Sequence, residues 1–318
     1  MPETMSIERR KLAQAYGAPL YGIKTGLNEA FVLSRAQRDA LVAADARSAD
    51  LLKPFLIGEN LKRWHVESDD LWLIYTPKNR HDINDYPAIR DHLLPFKARL
   101  EARATQQNWW ELQQAQAAYE PGFMSPKIIY PEMSQGPKFC IDSEPHYVSN
   151  KVFFLPFADA GLVAFLGSKA IWFILLGTAS PLRGGQWRLE LREQYMAILP
   201  TLNGKLLTQL APLGEQIQSE HVTRADLVRV VHNRIGDLHP EAAHIAAFAD
   251  WPSLSFDALR ALLKKRCKTD IPVGERDQWD RYLAEKRAEA AALAAAIADA
   301  EAEINARVYR LFDLSADD

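Results

Sequence analysis

The chain has 318 residues, 48% of them hydrophobic and 25% charged, so its length allows one large or two ordinary domains and its composition favours a packed core over disorder. The formal net charge of −3 excludes a globally basic surface, so any affinity for nucleic acid has to come from a local face. Cys140 and Cys267 lie far apart, which argues against zinc fingers and disulfide scaffolds and suits a reducing compartment.

The chain shows no pattern typical of export or of membrane insertion. Its first residues include no apolar core of the length that a signal peptide needs. The most apolar stretch, residues 161–176, contains Lys169 and is shorter than the ~20 apolar residues of a membrane span. We therefore expect a soluble, cytoplasmic protein without a membrane partner.

Up to about residue 200, short strands and helices are predicted to alternate. Apolar and aromatic runs bounded by turn formers predict strands at 71–75, 127–130 and 151–155. Ser34 can cap a helix over 35–45, and a second helical pattern runs over 86–103 with a proline in its first turn. This half of the chain predicts a mixed α/β domain.

Beyond residue 200 the patterns are helical. Thr223 and Asp226 resemble a capping box for a helix over 227–235, and Ser255 can cap a helix over 256–265. Apolar residues between Trp279 and Leu311 recur at alternating steps of 3 and 4, which predicts one long helix over about 276–312. We therefore predict an α+β fold with an N-terminal extension (1–20), a mixed domain with short strands (21–204) and a helical domain (205–318) that ends in the long helix.

Motifs for catalysis are missing from the sequence. No glycine-rich loop follows a strand with the spacing that a nucleotide or S-adenosylmethionine needs, and the Asn-Pro-Pro-aromatic tetrapeptide of amino-methyltransferases is absent. The histidines between residues 221 and 244 match no zinc spacing, and Asp142, Glu144 and Lys151 lack the Glu-x-Lys spacing of metal-dependent nucleases. We predict no catalytic residue and no metal site on this chain.

A set of ordered motifs resembles the TaqI-like C-terminal specificity domain, the target-recognition domain of type IIG restriction–modification enzymes and adenine-specific DNA methyltransferases. The first motif is YGIKTGLNEAF at 21–31 and the last is EINARVYRLFDL at 303–314. Between them, in the order of the family, lie LKPFLIGENLKRW at 52–64, LWLIY at 71–75, a helix from 93 with WWEL at 109–112, SPKIIYP at 125–131, LGSK at 166–169, RGG at 183–185 and ILP at 198–200.

Two features depart from that family. Relatives usually carry Asn before the Ser-Lys pair, where this chain has Gly167, so any polar contact of that Asn is in doubt here. Relatives also carry a methyltransferase domain ahead of this region, whereas only about 20 residues precede it here. The resemblance implies that S-adenosylmethionine binds to the missing methyltransferase domain or to a partner, and that this chain holds no cofactor.

The resemblance further implies sequence-specific recognition of double-stranded DNA. Three readings stay open: a recognition subunit that works with a separate methyltransferase, a fragment of a longer enzyme, or a stand-alone DNA-binding or structural protein without a role in methylation. Base edges suit Arg, Asn and Gln, whereas Lys and backbone amides suit phosphates. The candidate DNA-binding residues are Lys24, Thr25, Asn28, Lys78, Asn79, Arg80, Lys169, Arg183 and Gln186.

The end of the long helix is a candidate docking surface for the methyltransferase. Its apolar side carries Ile304, Val308 and Leu311. We expect Asp at Val308 and Leu311 to weaken assembly and to leave folding of the isolated chain largely intact. The large aromatic side chains Trp64, Trp72, Trp172 and Trp187 are expected in the core or an interface and not on bases.

Overall fold

A computed structural model describes residues 8–182 and 188–312. The chain divides into two compact units. The first, here called the α+β unit, comprises the residues up to Pro212 together with those from Arg307 onward. The second, here called the helical unit, is Leu213–Ala306. The fold is α+β, as predicted, and it ends in a long helix.

The strands all belong to the α+β unit and are short. They are β1 (Glu8–Lys11), β2 (Leu20–Tyr21), β3 (Val32–Leu33), β4 (Leu52–Leu56), β5 (Leu71–Ile74), β6 (Lys127–Pro131), β7 (Met133–Ser134), β8 (Cys140–Asp142), β9 (Tyr147–Val148), β10 (Val152–Leu155), β11 (Ser180–Leu182), β12 (Arg188–Glu190) and β13 (Pro200–Thr201). The predicted strands at 71–75, 127–130 and 151–155 are confirmed as β5, β6 and β10.

Within the described residues these strands form four small sheets. The two larger ones have the orders β2-β10-β6-β8 and β3-β5-β4-β9, and the smaller ones are β11-β12-β7 and β1-β13. Pairing is antiparallel except between β4 and β9. At the centre of the first sheet Phe153 lies opposite Tyr130 and Phe154 opposite Ile129. All five residues of β6 are buried, including Lys127 at its start.

The helices of the α+β unit are also short. They are α1 (Leu12–Tyr16), α2 (Asn28–Phe31), α3 (Arg35–Ala44), α4 (Pro87–Leu93), α5 (Lys97–Glu101), α6 (Glu120–Met124), α7 (Ala160–Leu166), α8 (Lys169–Thr178) and α9 (Glu193–Ala197). Ser34 caps α3 as predicted, because its hydroxyl accepts from the backbone amide of Gln37, whose side chain in turn accepts from the amide of Ser34.

The helical pattern predicted over 86–103 is confirmed, but it consists of the two α-helices α4 and α5. Residues 94–96 form a 3-10 turn between α4 and α5. The proline in this turn, Pro95, has no N–H to donate and its ring crowds the preceding turn, which favours a local departure from α-helical geometry.

The core of the α+β unit lies between the two larger sheets and the helices that cover them. Buried aromatic rings dominate it: Phe123 packs against Tyr147 with ring centroids 5.0 Å apart and against Phe154 at 5.1 Å. Phe31 at the end of α2 and Phe55 on β4 of the other sheet are also buried in this core.

Three longer helices follow: α10 (Gly204–Gly236), α11 (Phe256–Cys267) and α12 (Arg276–Leu311). Ser255 caps α11 as predicted, and α12 confirms the long helix predicted over 276–312. The capping box predicted at Thr223 is wrong, because Thr223 lies inside α10 and its hydroxyl donates to the carbonyl of Ser219.

The helical unit has a core of its own. Phe248, Trp251 and Leu263 are buried there, and the indole N–H of Trp251 donates to the carbonyl of Val228 at 3.1 Å. Asp270 binds the guanidinium groups of Arg260 at 2.9 Å and Arg276 at 2.8 Å. This ion-pair cluster joins the end of α11 to the start of α12.

Among the described helices, none has by itself the length and hydropathy of a membrane span. Only α7 and α8 taken together reach that level, as a pair bent by 57° at the break between them.

Candidate nucleic-acid interface

The first candidate loop, residues 24–28, is held by its own backbone and side chains. Lys24 is exposed and pairs through its backbone with Gln114, donating at 3.0 Å and accepting at 2.9 Å. Thr25 is buried, and its hydroxyl donates to the side-chain oxygen of Asn28 at 2.6 Å. Gly26 has a φ of +80°, and a Cβ there would lie 2.7 Å from Cδ of Arg103. The loop therefore presents Lys24 and Asn28 and keeps Thr25 inside.

The second candidate loop, residues 78–80, is tied down at each residue. The Lys78 ammonium donates to the carbonyl of Gln106 at 2.9 Å. Asn79 has a φ of 58°, and its backbone amide donates to Glu111 at 2.6 Å. Arg80 is paired with Glu120. Of the two cations in this loop, Lys78 is therefore the one that forms no ion pair with a described residue.

One irregular segment joins both loops. Residues 105–116, here called the glutamine segment, carry Gln106, Gln107, Gln113, Gln114 and Gln116. Gln114 pairs with the first loop and Gln106 accepts from the second. Both loops carry residues predicted from the sequence to bind DNA, whereas the segment that joins them was not predicted to do so. Five glutamines in eleven residues were the available signal, since Gln suits adenine as Arg suits guanine.

A buried carboxylate, Glu111, and a half-buried guanidinium, Arg103, hold the glutamine segment in place. Glu111 is 1% exposed, and its second carboxylate oxygen accepts from the backbone amide of Asn108 at 2.7 Å. The Arg103 guanidinium donates to the carbonyls of Thr25 and Trp109, both at 3.0 Å. Burial lowers the pKa of Arg103, and the charge of Glu111 partly offsets this effect. Together these bonds lock the segment to the first loop.

The glutamine segment lines a cleft of about 400 Å³, here called the glutamine cleft. Its polar lining comes from the five glutamines, Thr105, Lys78 and Arg80, and no carboxylate is among the described residues that line it. Glu120 lies outside the lining and partly neutralises Arg80. The cleft thus offers amide groups beside positive charge.

A second cleft of about 580 Å³, here called the sheet-edge cleft, lies near the ends of β4 and β6. Asn28 lines it, and Lys24 of the same loop pairs through its backbone with Gln114, which lines the glutamine cleft. The charged residues of its lining are Glu59, Glu132, Lys138, Lys151 and Arg188. Glu132 is neutralised by Lys151 at 2.6 Å, whereas Lys138 and Arg188 form no ion pair with another described residue.

Lys169 lines neither of these clefts. It is exposed in the first turn of α8, directly after Ser168, whose hydroxyl caps that helix. The neighbouring Gly167 lies against Trp64, and a Cβ there would come within 2.2 Å of Cη2 of the indole. Trp64 is 1% exposed and has a φ of 72°. At Gly167, where the family resemblance leads us to expect Asn, the indole ring of Trp64 occupies the space that a side chain would need.

Two of the candidate DNA-binding residues, Arg183 and Gln186, lie outside the described residues, as does Trp187. They stay predictions. Arg188, the first described residue after them, is exposed and lines the sheet-edge cleft.

The three predicted docking residues are buried within the chain itself. Ile304 is 1% exposed, Val308 0% and Leu311 7%. Next to them, Phe312 stacks on Phe165 with ring centroids 6.5 Å apart. The expectation that Asp at Val308 and Leu311 leaves folding intact is therefore corrected, because a carboxylate there would be placed in an apolar interior. A docking role for these positions stays a prediction.

One buried charge cluster lies apart from both clefts. The Lys127 ammonium is 2.9 Å from Asp142 and donates to the carbonyl of Phe123 at 2.9 Å. His146 is 2.9 Å from the other oxygen of Asp142. Burial opposes the ionisation of Asp142, but the hydrogen bond from His146 and the charge of Lys127 outweigh it and lower the pKa of the carboxyl. Within the described parts of the chain, no group of three His, Cys, Asp or Glu is arranged to hold a metal ion.

Comparison with known proteins matches part of the chain to a family and the whole chain to solved structures. Residues 205–308 match a domain of unknown function, DUF8810. The match covers the three long helices and carries no statement about activity.

The whole chain is similar in fold to the type IIL restriction-modification enzyme MmeI, whose structure is known in complex with DNA. The TM-score is 0.52 at 13% sequence identity, and the match covers 99% of this chain. It covers 35% of MmeI, so the chain spans about a third of that enzyme's length. The likeness is one of fold, shared with part of a restriction–modification enzyme.

Proposed function

We propose that this chain recognises a DNA sequence on behalf of a restriction–modification methyltransferase. The observation that carries the proposal is the fold match over 99% of the chain to an enzyme known in complex with DNA. The ordered TaqI-like motifs support the same assignment, and they narrow it to the target-recognition part of an adenine-specific enzyme. S-adenosylmethionine and the catalytic residues would then belong to a methyltransferase domain or partner.

Charge in the two clefts supports contact with a nucleic-acid backbone. Four cations at or beside them, Lys24, Lys78, Lys138 and Arg188, form no ion pair with any described residue. The ammonium groups of lysines and the guanidinium of Arg188 suit phosphate oxygens, which fix register without reading sequence. The first loop, which lines the sheet-edge cleft through Asn28 and pairs with Gln114 of the glutamine cleft, would form part of such a surface.

Binding to duplex DNA over a range of salt concentrations tests this proposal. Each neutralised phosphate releases counterions, so log affinity should fall linearly with log salt at about −0.9 per contact. Contacts from the four cations predict a slope of about −3.6. Lys78→Gln and Lys138→Gln should each reduce that slope by about 1, whereas Lys265→Gln, at an exposed position in the helical unit, serves as the charge-matched control.

A slope near zero, or equal losses in all three variants, would refute the proposed surface. The stand-alone alternative has a different signature, which is full sequence-specific binding that no methyltransferase partner changes. Affinity should therefore be measured with and without a candidate methyltransferase.

A further inference from the structure

The amide groups of the glutamine segment have no partner inside the protein. Within the described part of the chain, none of the five side-chain amides hydrogen-bonds to another residue. Glutamines elsewhere do form such bonds: Gln14 and Gln37 each accept from a backbone amide at a helix start, both at 2.9 Å. The glutamine segment therefore keeps its donors and acceptors available for a ligand.

The chemistry of these groups matches one base. A carboxamide presents an acceptor and two donors, and adenine in the major groove presents its N7 acceptor beside its N6 donor, so Gln can bind it through two hydrogen bonds. Cytosine prefers a carboxylate, which the described lining of the glutamine cleft lacks, and guanine prefers Arg. In this cleft Arg80 is already paired with Glu120.

The backbone that carries these amides is fixed in advance. Glu111 binds the backbone of Asn79 on one side and of Asn108 on the other, at 2.6 and 2.7 Å. The Arg103 guanidinium donates to four carbonyls, those of Leu100, Thr25, Asn108 and Trp109. A segment held in this way loses little conformational entropy when it binds, which favours selective recognition.

We infer that the glutamine segment recognises the adenine edge of A·T pairs in duplex DNA. Lys78 contacts a neighbouring phosphate, and Glu111 is a positioning residue that acts through the backbone. The inference rests on the proposed function and deepens it, since it assigns base recognition to a segment that the sequence analysis did not select.

The test begins by selecting duplexes from a random-sequence pool with the full chain. Dissociation constants are then measured for the selected duplex and for copies in which one adenine at a time is 7-deazaadenine, which lacks the N7 acceptor. The unmodified protein should lose affinity on the order of 10-fold at the adenines that it reads. Because this measurement needs no variant, it does not depend on whether a substitution disturbs folding.

Variants then assign the effect to residues. Gln114→Ala, at an exposed position, should weaken binding to the selected duplex by on the order of 10- to 100-fold and abolish the response to 7-deazaadenine at one position. Glu111→Gln should weaken discrimination at A·T pairs and leave the salt slope unchanged, which a loss of phosphate contacts would not do. Gln216→Ala is the matched control, since that amide binds Glu220 within one helix of the helical unit.

The outcomes separate the inference from the function on which it rests. Adenine recognition by this segment is refuted if the selected sequence contains no A·T pairs. It is also refuted if the response to 7-deazaadenine is unchanged in Gln114→Ala and in the corresponding Ala variants at Gln106, Gln107, Gln113 and Gln116. Either result leaves the proposed DNA recognition standing. Failure of the unmodified chain to select any sequence refutes the proposed function itself.

Discussion

At Gly167 the backbone passes against the indole of Trp64, and no room is left for a side chain. The distance of 2.2 Å from an ideal Cβ to the ring is far below van der Waals contact. Trp64 cannot easily withdraw, because it is buried and its backbone already has a positive φ of 72°. Packing against Trp64 thus accounts for a glycine in place of the Asn expected from the family resemblance.

Gly167→Ala should therefore lower the free energy of unfolding by about 1–3 kcal/mol, the range for overpacked interiors. Chemical denaturation measures this change. Gly177→Ala is the control, since a Cβ there meets nothing within 4 Å and Ala favours the helix α8 that contains it. Equal effects of both substitutions would contradict the role of the Trp64 contact.

The buried pair of Lys127 and Asp142 makes a second prediction for single residues. Asp142→Asn leaves the Lys127 ammonium, 0% exposed, without its counter-charge, so stability at neutral pH should fall by about 3–5 kcal/mol. The double variant Lys127→Met with Asp142→Leu should recover most of this loss, because it removes both buried charges. A double variant no more stable than Asp142→Asn would contradict the charge explanation.

The pH dependence of stability follows from the same pair. The folded-state pKa of Asp142 is lower than its unfolded value, so its contribution is fully present above the unfolded pKa of about 3.9 and is lost as the pH falls through the folded value. Denaturation midpoints measured between neutral pH and about pH 3 should therefore fall less steeply in the double variant than in the unmodified protein. Parallel pH profiles would show that another group dominates.

For the candidate site, the sequence could predict exposed cations and could not predict their pairing. Lys24 and Lys78 are exposed near a cleft, as expected of phosphate-binding residues. Arg80 is neutralised by Glu120, which lies 40 positions away along the chain, so no local sequence pattern predicts that contact. The glutamine segment was missed for a related reason, since it follows neither a helical nor a strand periodicity and acquires its place through Arg103 and Glu111.

At the level of elements, local signals predicted most helices and strands. Ser34 and Ser255 cap helices where expected, and the seam from Trp279 to Leu311 forms one helix. The structure differs from these predictions in two places, where a second local feature outweighed the signal on which the prediction was based. Pro95 interrupts the helix predicted over 86–103, and Thr223 lies within a 33-residue helix although it resembles a cap.

The end of α12 supplies a prediction at this scale. Val308→Asp should destabilise the isolated chain by at least about 3 kcal/mol, because the carboxylate would be buried without a partner. Ala306→Asp, at an exposed position of the same helix, is the control and should change stability by less than about 0.5 kcal/mol. If Val308→Asp instead kept its stability and lost binding to a methyltransferase, the docking role would be supported.

At the level of the molecule, the sequence predicted the α+β class and the helical end but not the arrangement of strands. The sheets pair distant strands, as in the order β2-β10-β6-β8, and strands of two to five residues carry too little pattern to specify a neighbour. The separate cores of the two units likewise arise from contacts between distant residues.

A chain that depends on another polypeptide for chemistry should not bind the methyl donor by itself. Titration calorimetry with S-adenosylmethionine should detect no binding to the purified chain, and incubation of the two with DNA should transfer no methyl groups. Addition of the methyltransferase partner should restore both. Methyl transfer by the purified chain alone would contradict the division of labour proposed here.

The affinity ratio between a selected duplex and a shuffled duplex of equal composition tests sequence recognition most directly. Measured with the purified chain across a salt series, both affinities should decrease as salt rises, while their ratio stays on the order of 10³ or more. A ratio close to one at every salt concentration would mean that the clefts hold phosphates and read no bases, and would contradict the account.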